Sequence, residues 1–550
     1  MIRVTCFGNH ARRLAACVLI ALLARGAADA QAPSERPRHP YTHPHELRFT
    51  MAEDVVGLNL HLAGQTAVRW LDDLTMAFLL RTDAHDGYQP ELATAVPTQA
   101  NGGISRDGKT IVYHLRRDAV WSDGRPFTAD DVVFSTGVVL NPANNEPTRD
   151  GWDRIARVDA PDRYTAVFHL MQRYANFAST FFSSSGVPLL PAHLLRGLPD
   201  INHAPYNALP VGIGPFTFVA WHRGDSVELA ANPRYFRGRP KLDRILFRII
   251  PDRNTALAQL TTHEVDLWIG VPGNYLARVQ AIPATATIRR EAFIFNHLDF
   301  TTTHPTVSDP VVRRALRLAL DRAVLRAKIG HGVNLLSETP FGPAHPAHIT
   351  HPIPLLPHDP VLAAKLLEDD GWKPGPDGIR AKNGVRLVIT VGMPSGSPDV
   401  DQQNELIRAW WKEIGVGMEI QHFADALFFA PYQGGGVIAT GKTDATFFAW
   451  STDAFGDVSS LFGCAFIEPH GQNNTRYCNR ELDAASAAQL VEYDPVKRRR
   501  YTDLIQQILF RDAPMIVTSI RESVFAFNDD LRGFAPNASS PTDDFMHVDI

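Results

Sequence analysis

A carboxylate close to an aromatic residue is the most chemically suggestive pairing in the sequence. Trp450 ends the apolar run Thr446–Trp450, and Asp453 follows after Ser451 and Thr452. If the run is a strand of a parallel sheet, Asp453 lies just beyond its carboxyl end, where ligands of such sheets bind. A carboxylate beside a ring suits an ammonium group, through a charge-assisted hydrogen bond and ring packing. The alternative is a turn aspartate that caps the next helix.

A second motif matches the pattern of a phosphate-binding loop. Residues 436–443 read GVIATGKT, with the glycines, lysine and threonine at the required spacing. Such a loop needs a helix that begins at the Lys-Thr pair, but residues 444–450 (DATFFAW) predict a strand. We therefore expect no nucleotide site here.

Histidines gather in two segments and suggest nickel or zinc binding. They stand in a Pro- and His-rich connector over 330–358 and near residue 40: His331, His345, His348, His351 and His358, with His39, His43 and His45. Their irregular spacing among prolines favours solvated loops over a metal site. We predict neither a metal site nor a cofactor.

Enzymatic signatures are missing from the sequence. It contains no HExxH and no GxSxG motif, and no Ser, His and Asp set stands out. Because triads are scattered in sequence, this absence is weak evidence. We predict no catalytic residues, and keep a secreted peptide hydrolase as an alternative.

The elements that position Asp453 follow an alternating α/β pattern with no internal repeat. A lobe over 385–453 is predicted from the strand Val385–Val391, the helix Gln402–Ile414, the strand Val416–His422 and the strand Thr446–Trp450, with parallel pairing. Other strands are predicted at Thr110–Arg116, Tyr164–Leu170, Pro215–Ala220 and Ile245–Ile250. Asp309 and Asp359, each followed by proline, predict helix starts, the first helix having one apolar face from Val312 to Ala323.

Composition indicates a globular protein with a large core. The 550 residues are 45% hydrophobic and 21% charged, which excludes a disordered chain and allows two or three domains. Lys plus Arg total 54 against 59 for Asp plus Glu, so no basic footprint for nucleic acid exists. Four cysteines are too few for a disulfide scaffold, although one pair can be bridged in an oxidising compartment.

The first thirty residues read as a secretory signal. Arg3, Arg12 and Arg13 precede the apolar run Leu14–Ala24, and small residues around Ala30 suit cleavage there. A run this short does not span a bilayer, which requires about 20 residues. A lipoprotein box ending at Cys17 and a twin-arginine signal are poorer fits, because the apolar run follows Cys17 and the arginines lack suitable neighbours. We predict an exported, periplasmic protein.

Several blocks, in order along the chain, resemble the solute-binding proteins of bacterial ABC importers for peptides and nickel. The longest is residues 105–135, SRDGKTIVYHLRRDAVWSDGRPFTADDVVFS. Further blocks are VGIGPF (211–216), ANPRYFRGRPKLD (231–243), LTTHEVDL (260–267), SDPVVRRALRLALDR (308–322), DPVLAAKLLEDDGW (359–372) and NTRYCNRELD (474–483). In VGIGPF, Gly212 and Gly214 permit backbone conformations closed to other residues, as a crossing between lobes would require.

This resemblance implies an α/β, two-lobed, type II periplasmic-binding-protein-like fold that closes over cargo, with an additional domain inserted in the first lobe. It implies a monomer that captures a peptide and passes it to the permease subunits of an ABC transporter. A nickel, metallophore or haem carrier of the same fold is the nearest alternative. The implied division is a signal peptide over 1–30, lobe I over 31–75, 206–290 and 500–550, inserted domain II over 76–205, and lobe III, with the ligand loop, over 291–499.

The resemblance also assigns site residues. Asp453 matches the acidic residue that binds the peptide's amino terminus, with Trp450, Ser451 and Thr452 beside it, although the proline that often ends this loop is replaced by Val458. Where dipeptide receptors place an arginine for the cargo's carboxylate, this chain offers Ser397. Cys464 and Cys478 match a family cysteine pair, so a disulfide is implied.

Overall fold

The computed structural model describes residues 37–550. Residues 43–550 form one compact unit. In the N-terminal unit, the ring of His39 stacks on that of Tyr41 with centroids 5.0 Å apart. The predicted signal peptide lies outside the described residues. Within residues 37–550, no helix has both the length and the apolar character needed to cross a bilayer.

A ten-stranded mixed sheet is the backbone of the molecule. One half contains Glu46–Met51 in parallel register between Arg244–Ile249 and Leu267–Ile269, extended by the antiparallel strands Ser226–Ala231 and Phe216–His222. The other half contains Val388–Pro394 in parallel register between Gly417–Phe423 and Ala445–Ser451. The parallel pairing predicted for the 385–453 lobe is therefore confirmed.

Two long antiparallel strands join the two halves of the sheet. They are Thr285–Phe300 and Met515–Asn528, called the first and second crossing strands below. The first also pairs with Ala445–Ser451, and the second with Leu267–Ile269. Their register shifts at a bulge, where residues 292–294 face the single residue Arg521 between the pairs Glu291–Glu522 and Phe295–Ile520. Bulges bend a strand locally, so the ladder bends between the halves.

The region predicted as an inserted domain has its own small sheet and core. Strands Thr110–His114, Thr165–Leu170 and Ile155–Asp162 form an antiparallel sheet. The helix Ala129–Leu140 begins after Thr128, whose backbone N–H donates to the carboxylate of Asp131 at 2.9 Å. Aromatic rings fill the core beneath: Tyr113, Trp121, Phe127, Trp152, Phe168, Phe181 and Phe182. Elsewhere in the chain, two short antiparallel sheets contain Leu80–Thr82 with Tyr88–Pro90, and Lys373–Pro374 with Arg380–Lys382 and Val385–Arg386.

Six α-helices of the described chain begin after an Asp or Asn whose side chain accepts free N–H groups of the first turn. Asp309, Asp359 and Asp494 each do so ahead of a proline. The α-helices within residues 37–550 are Thr66–Thr75, Ala129–Leu140, Phe177–Thr180, Ala192–Leu195, Arg253–Thr261, Leu276–Gln280, Pro310–Leu318, Arg322–Lys328, Pro360–Asp369, Pro398–Glu413, Asp425–Phe428, Val437–Thr440, Ser459–Phe462, Arg480–Val491 and Pro495–Asp512. The predicted domain boundary at 499/500 falls inside the last of these, and the domain division stays a prediction.

Three local predictions were wrong in detail. The apolar face expected from Val312 to Ala323 is split into two helices, because Asp321 accepts from the N–H of Val324 and starts a new one. The strand expected over 385–391 breaks at Leu387 into Val385–Arg386 and Val388–Pro394. Gly212 and Gly214 were expected to adopt backbone conformations closed to other residues. They are required instead by close packing, since a Cβ at Gly212 would lie 2.0 Å from the carbonyl oxygen of Thr75.

A buried charge network ties the first half of the sheet to the start of the inserted region and to the C-terminal segment. The guanidinium of Arg81 donates to Glu91 at 2.8 Å and to Asp543 at 2.7 Å. Tyr235 donates to Glu91 at 2.9 Å. Burial, together with the charge of Asp543, raises the pKa of neighbouring Asp73 to about 7. These segments are far apart in sequence, so the network fixes how they meet.

We expect Arg81→Gln to lower the free energy of unfolding by about 3–5 kcal/mol, because it leaves two buried carboxylates without their cation. Urea denaturation followed by circular dichroism measures this. The matched control is Arg116→Gln, which breaks an exposed ion pair with Asp118 and should cost less than about 1 kcal/mol. Equal effects of the two substitutions would contradict a stabilising role for the network.

Candidate functional site

A large cavity lies where the two halves of the sheet meet. Its volume is about 630 Å³. One wall is the loop Gly270–Asn274 of the first half, and another is the segment Pro394–Val400 together with Phe447 and Ala449 of the second half. The floor comes from the crossing strands, through Ile294, Asn296 and residues 518–524. A molecule held here contacts both halves at the strand ends where ligands of α/β sheets bind.

Ser397 is the one predicted ligand residue that lines this cavity. It occupies the N-cap position of the helix Pro398–Glu413 without a capping hydrogen bond from its side chain, and the first turn of this helix carries Asp399 and Asp401. These carboxylates use the favourable electrostatic position at the helix start, and Asp401 also contacts His422 at 2.8 Å. The negative charge makes this wall a poor place for an anion.

Asp453 lies on the loop after Ala445–Ser451, and protein donors surround its carboxylate. Oδ2 accepts from Asn176 Nδ2 at 2.8 Å and from Ser179 Oγ at 3.2 Å, both in the inserted region. Oδ1 accepts from the N–H groups of Gly456 at 2.8 Å and Asp457 at 3.3 Å. The carboxylate therefore connects the ligand loop to the inserted region as well as capping its own turn.

The acidic charge at this loop is only partly offset by the nearby charge of Arg154. Burial, and next the charge of Asp453, raise the pKa of Asp457. Neither carboxylate forms an ion pair with any residue of the described chain. The side-chain oxygen Oδ1 of Asn176 is also buried and accepts no hydrogen bond from the residues described. Two carboxylates and an unsatisfied amide oxygen together favour a cationic hydrogen-bond donor.

The other predicted loop residues are divided between the two faces of the sheet. Trp450 packs against Phe448, with ring centroids 5.8 Å apart, and against the core beside Phe295. It does not line the cavity. Ser451 is exposed and pairs with Ile294, and Ile294 lines the cavity. Thr452 donates its backbone N–H to the carbonyl of Phe293, in the bulge, at 2.8 Å.

His345 supports the ligand loop from behind. Its Nδ1 accepts from the N–H of Ala347 at 2.9 Å, and its Nε2 lies 3.1 Å from Thr452 Oγ1. Burial lowers the pKa of His345 to about 3, so the ring is neutral at physiological pH. Solvated loops were predicted for this connector, and for His345 that prediction was wrong, because its ring is buried against the rings of Phe293 and Phe341, at centroid distances of 4.2 and 4.7 Å. None of the connector histidines belongs to a metal-ligand cluster within residues 37–550.

Comparison with known proteins identifies the family. The model of the bacterial extracellular solute-binding proteins, family 5, matches residues 87–468. The chain belongs to this solute-binding family.

Relatives of this solute-binding protein include peptide-binding proteins. The oligopeptide-binding protein AppA of Bacillus subtilis is 25% identical over 84% of each chain, and di/tripeptide-binding protein 2 of Pseudomonas aeruginosa is 25% identical over 78% of this chain and 82% of its own. Solved structures share the fold. AppA in complex with a nonapeptide has a TM-score of 0.76 and 22% identity, covering 92% and 98% of the two chains. NikZ of Campylobacter jejuni in complex with Ni(L-His) has a TM-score of 0.75 and 22% identity, covering 90% of this chain and 96% of its own. The type II fold predicted for the chain is confirmed.

The cysteine pair and the phosphate-loop motif of this family member both have a structural outcome. Cys464 and Cys478 form a disulfide with Cα atoms 4.6 Å apart, closing the segment that follows the ligand loop. Residues Ala445–Ser451 are a strand, and the short helix Val437–Thr440 ends before Lys442. The motif thus lacks the helix that would hold a phosphate.

Sequence reasoning missed several residues of the site. Arg521 and Asn296 line the cavity from the crossing strands, and Phe429 lines it as an exposed aromatic ring. Asn176 and Ser179 reach Asp453 across 270 residues or more of sequence. A charged residue inside the apolar strand Met515–Asn528 was a usable signal for Arg521. Nothing local marks Asn176.

We expect the stability supplied by neutral His345 to be complete above about pH 6.5 and to fall as the pH drops, because the unfolded imidazole binds a proton near 6.5 and the folded one only near 3. The loss approaches about 1.4 kcal/mol per pH unit. Urea denaturation of the protein and of His345→Gln between pH 7.5 and 4.5 measures it. The difference in unfolding free energy between the two should shrink as the pH falls. A constant difference would contradict the buried, neutral ring.

Proposed function

We propose that this chain is a periplasmic receptor that captures peptides, or small amine-bearing solutes resembling them, and delivers them to an ABC importer. The observation that carries the proposal is the cavity of about 630 Å³ between the two halves of the sheet. This volume lies within the range of ordinary ligand sites, about 300–1,000 Å³. The peptide-binding names of the relatives support the class of cargo.

Closure of the two halves over cargo is part of the proposal. In the part of the chain that the structure describes, the sheet passes from one half to the other through the two crossing strands, each of which pairs with one half and with the other crossing strand, and their bulge lies between the halves. Hinges are short stretches where the backbone absorbs a change of angle. Residues 292–294 and 521 are the stretch that suits this role. Because cavity residues come from both halves, cargo binds best when they are close together.

Asp453 is the proposed partner of the cargo's amino group. Neither carboxylate of the loop has an ion-pair partner among the described residues, and the buried Oδ1 of Asn176 accepts no hydrogen bond from them. An ammonium supplies both a positive charge and three N–H donors. Binding would exchange part of the contact between Asp453 and the inserted region for a contact with cargo.

The receptor is proposed to act as a monomer, held in the periplasm after removal of its signal peptide and docking on permease subunits in the inner membrane. We propose that it returns its cargo chemically unchanged. Incubating the purified protein with a peptide mixture, followed by mass spectrometry of bound and free fractions, tests this. Intact bound peptides support the receptor. Steady cleavage would indicate a hydrolase, and a metal complex as the sole bound species would indicate a metallophore carrier.

Asp453→Asn should weaken the binding of a captured peptide at least tenfold without unfolding the protein, because a charge-assisted hydrogen bond is worth about 1.5–3 kcal/mol. N-acetylation of the same peptide should weaken binding to the unsubstituted protein by a similar factor. Isothermal titration calorimetry measures both effects.

The matched control is Asp425→Asn, an exposed carboxylate on the same half of the sheet, which should bind as the unsubstituted protein does. If Asp453→Asn and the control bind equally well, Asp453 is only a structural link to the inserted region. If Asp453→Asn weakens binding but N-acetylation does not, the carboxylate acts on another part of the cargo.

A further inference from the structure

Arg521 has an unusual position for an arginine. It lies on the second crossing strand, alone opposite the three-residue bulge of the first. Its side chain lines the cavity and is exposed to it. The protein around it is nonetheless dense, and burial lowers the pKa of its guanidinium, with no neighbouring carboxylate to offset the effect. The side chain is thus solvent-exposed where it lines the cavity, with enough protein around it to lower its pKa.

The guanidinium is held in place but lacks an anionic partner. Nε donates to Asn296 Oδ1 at 3.1 Å, and Asn296 Nδ2 donates to Ser519 Oγ at 2.9 Å. This chain of contacts orients the guanidinium. Within residues 37–550 its two terminal nitrogens make no hydrogen bond and Arg521 forms no ion pair. The pair of N–H groups that binds a carboxylate in two-pronged fashion is therefore unused.

Among the charged residues of the cavity, Arg521 offers the best position for an anion. Arg326 donates to the backbone carbonyls of Gly332 and Asn334. Arg253 also lines the cavity and adds positive charge from the side of the first half. On the facing wall, Asp399 at the start of the Pro398–Glu413 helix repels an anion near Ser397. Glu522 forms no ion pair with Arg521, so the guanidinium's charge is not cancelled locally.

We propose that Arg521, oriented by Asn296, binds a carboxylate of the cargo. This inference rests on the proposed function and adds to it that the preferred cargo carries an anionic group. The carboxylate is either the C-terminus of a peptide or an acidic side chain, since both offer the same planar pair of oxygens.

Four synthetic pools of tri- to pentapeptides test the proposal. Two pools have neutral side chains, one with a free C-terminal carboxylate and one with a C-terminal amide. The other two pools carry a central Glu, again one with a free C-terminal carboxylate and one with a C-terminal amide. Each pool is equilibrated with the unsubstituted protein, with Arg521→Gln, with Arg521→Lys and with the control Arg289→Gln. Arg289 is exposed on the first crossing strand and does not line the cavity. Mass spectrometry quantifies the captured fraction, and thermal melting checks folding.

The unsubstituted protein should capture at least one carboxylate-bearing pool at least tenfold better than the neutral amides. A preference for neutral free acids identifies the C-terminus as the group bound, and a preference for Glu amides identifies the side chain. Arg521→Gln should lose the preference, Arg521→Lys should keep part of it through charge alone, and Arg289→Gln should keep all of it.

Equal capture of neutral amides and carboxylate-bearing pools by the unsubstituted protein would overturn the proposal while leaving peptide capture intact. A preference that survives in Arg521→Gln would overturn it as well. If Arg521→Gln does not fold, Arg521→Lys provides the test. An undiminished preference of Arg521→Lys for carboxylate-bearing pools would contradict a two-pronged contact. Capture of no pool at all would overturn the proposed function, and this inference with it.

Discussion

The continuous hydrogen-bonded ladder between the two crossing strands is the constraint on which the rest of the structure depends. Thr285–Phe300 and Met515–Asn528 pair with each other along their length and with one strand from each half of the sheet. The two halves therefore cannot separate without breaking this ladder. They can change their angle at the bulge, where residues 292–294 lie opposite Arg521 and the regular pairing is interrupted.

The bulge also lies beside both groups that are proposed to bind cargo. On one side of it, Phe293 accepts the backbone N–H of Thr452 and so holds the loop that carries Asp453. On the other side, Arg521 projects into the cavity with Asn296 as its support. An acidic loop and a guanidinium, neither of which forms an ion pair within residues 37–550, are thus both attached to the same irregular stretch of the ladder. In the proposed receptor, a bend at this stretch moves binding groups as well as lobes.

The sequence predicted much of the framework because its signals are local. Strands such as Thr110–His114 and Ala445–Ser451, and helix starts at Asp309 and Asp359, follow from alternation, capping and proline position. Even the parallel pairing near Asp453 followed from the order of elements. The errors came where a neighbouring residue competes locally: Asp321 starts a second helix inside an apolar face that looked continuous.

The site itself was less accessible to such reasoning. Trp450 and Asp453 are three residues apart, yet one packs into a core and the other contacts Asn176 in the inserted region. The burial of His345 depends on how a proline-rich connector folds back, which no period in the sequence encodes. The environment of Arg521 depends on a register shift between strands more than 200 residues apart. Tertiary contacts, not local pattern, decide each of these cases.

Small-angle X-ray scattering, with and without a captured peptide, tests the central claim most directly. The account predicts a smaller radius of gyration when calorimetry shows one peptide bound per chain, because the two halves of the sheet close at the bulge. Identical scattering curves for the free and the fully loaded protein would contradict it.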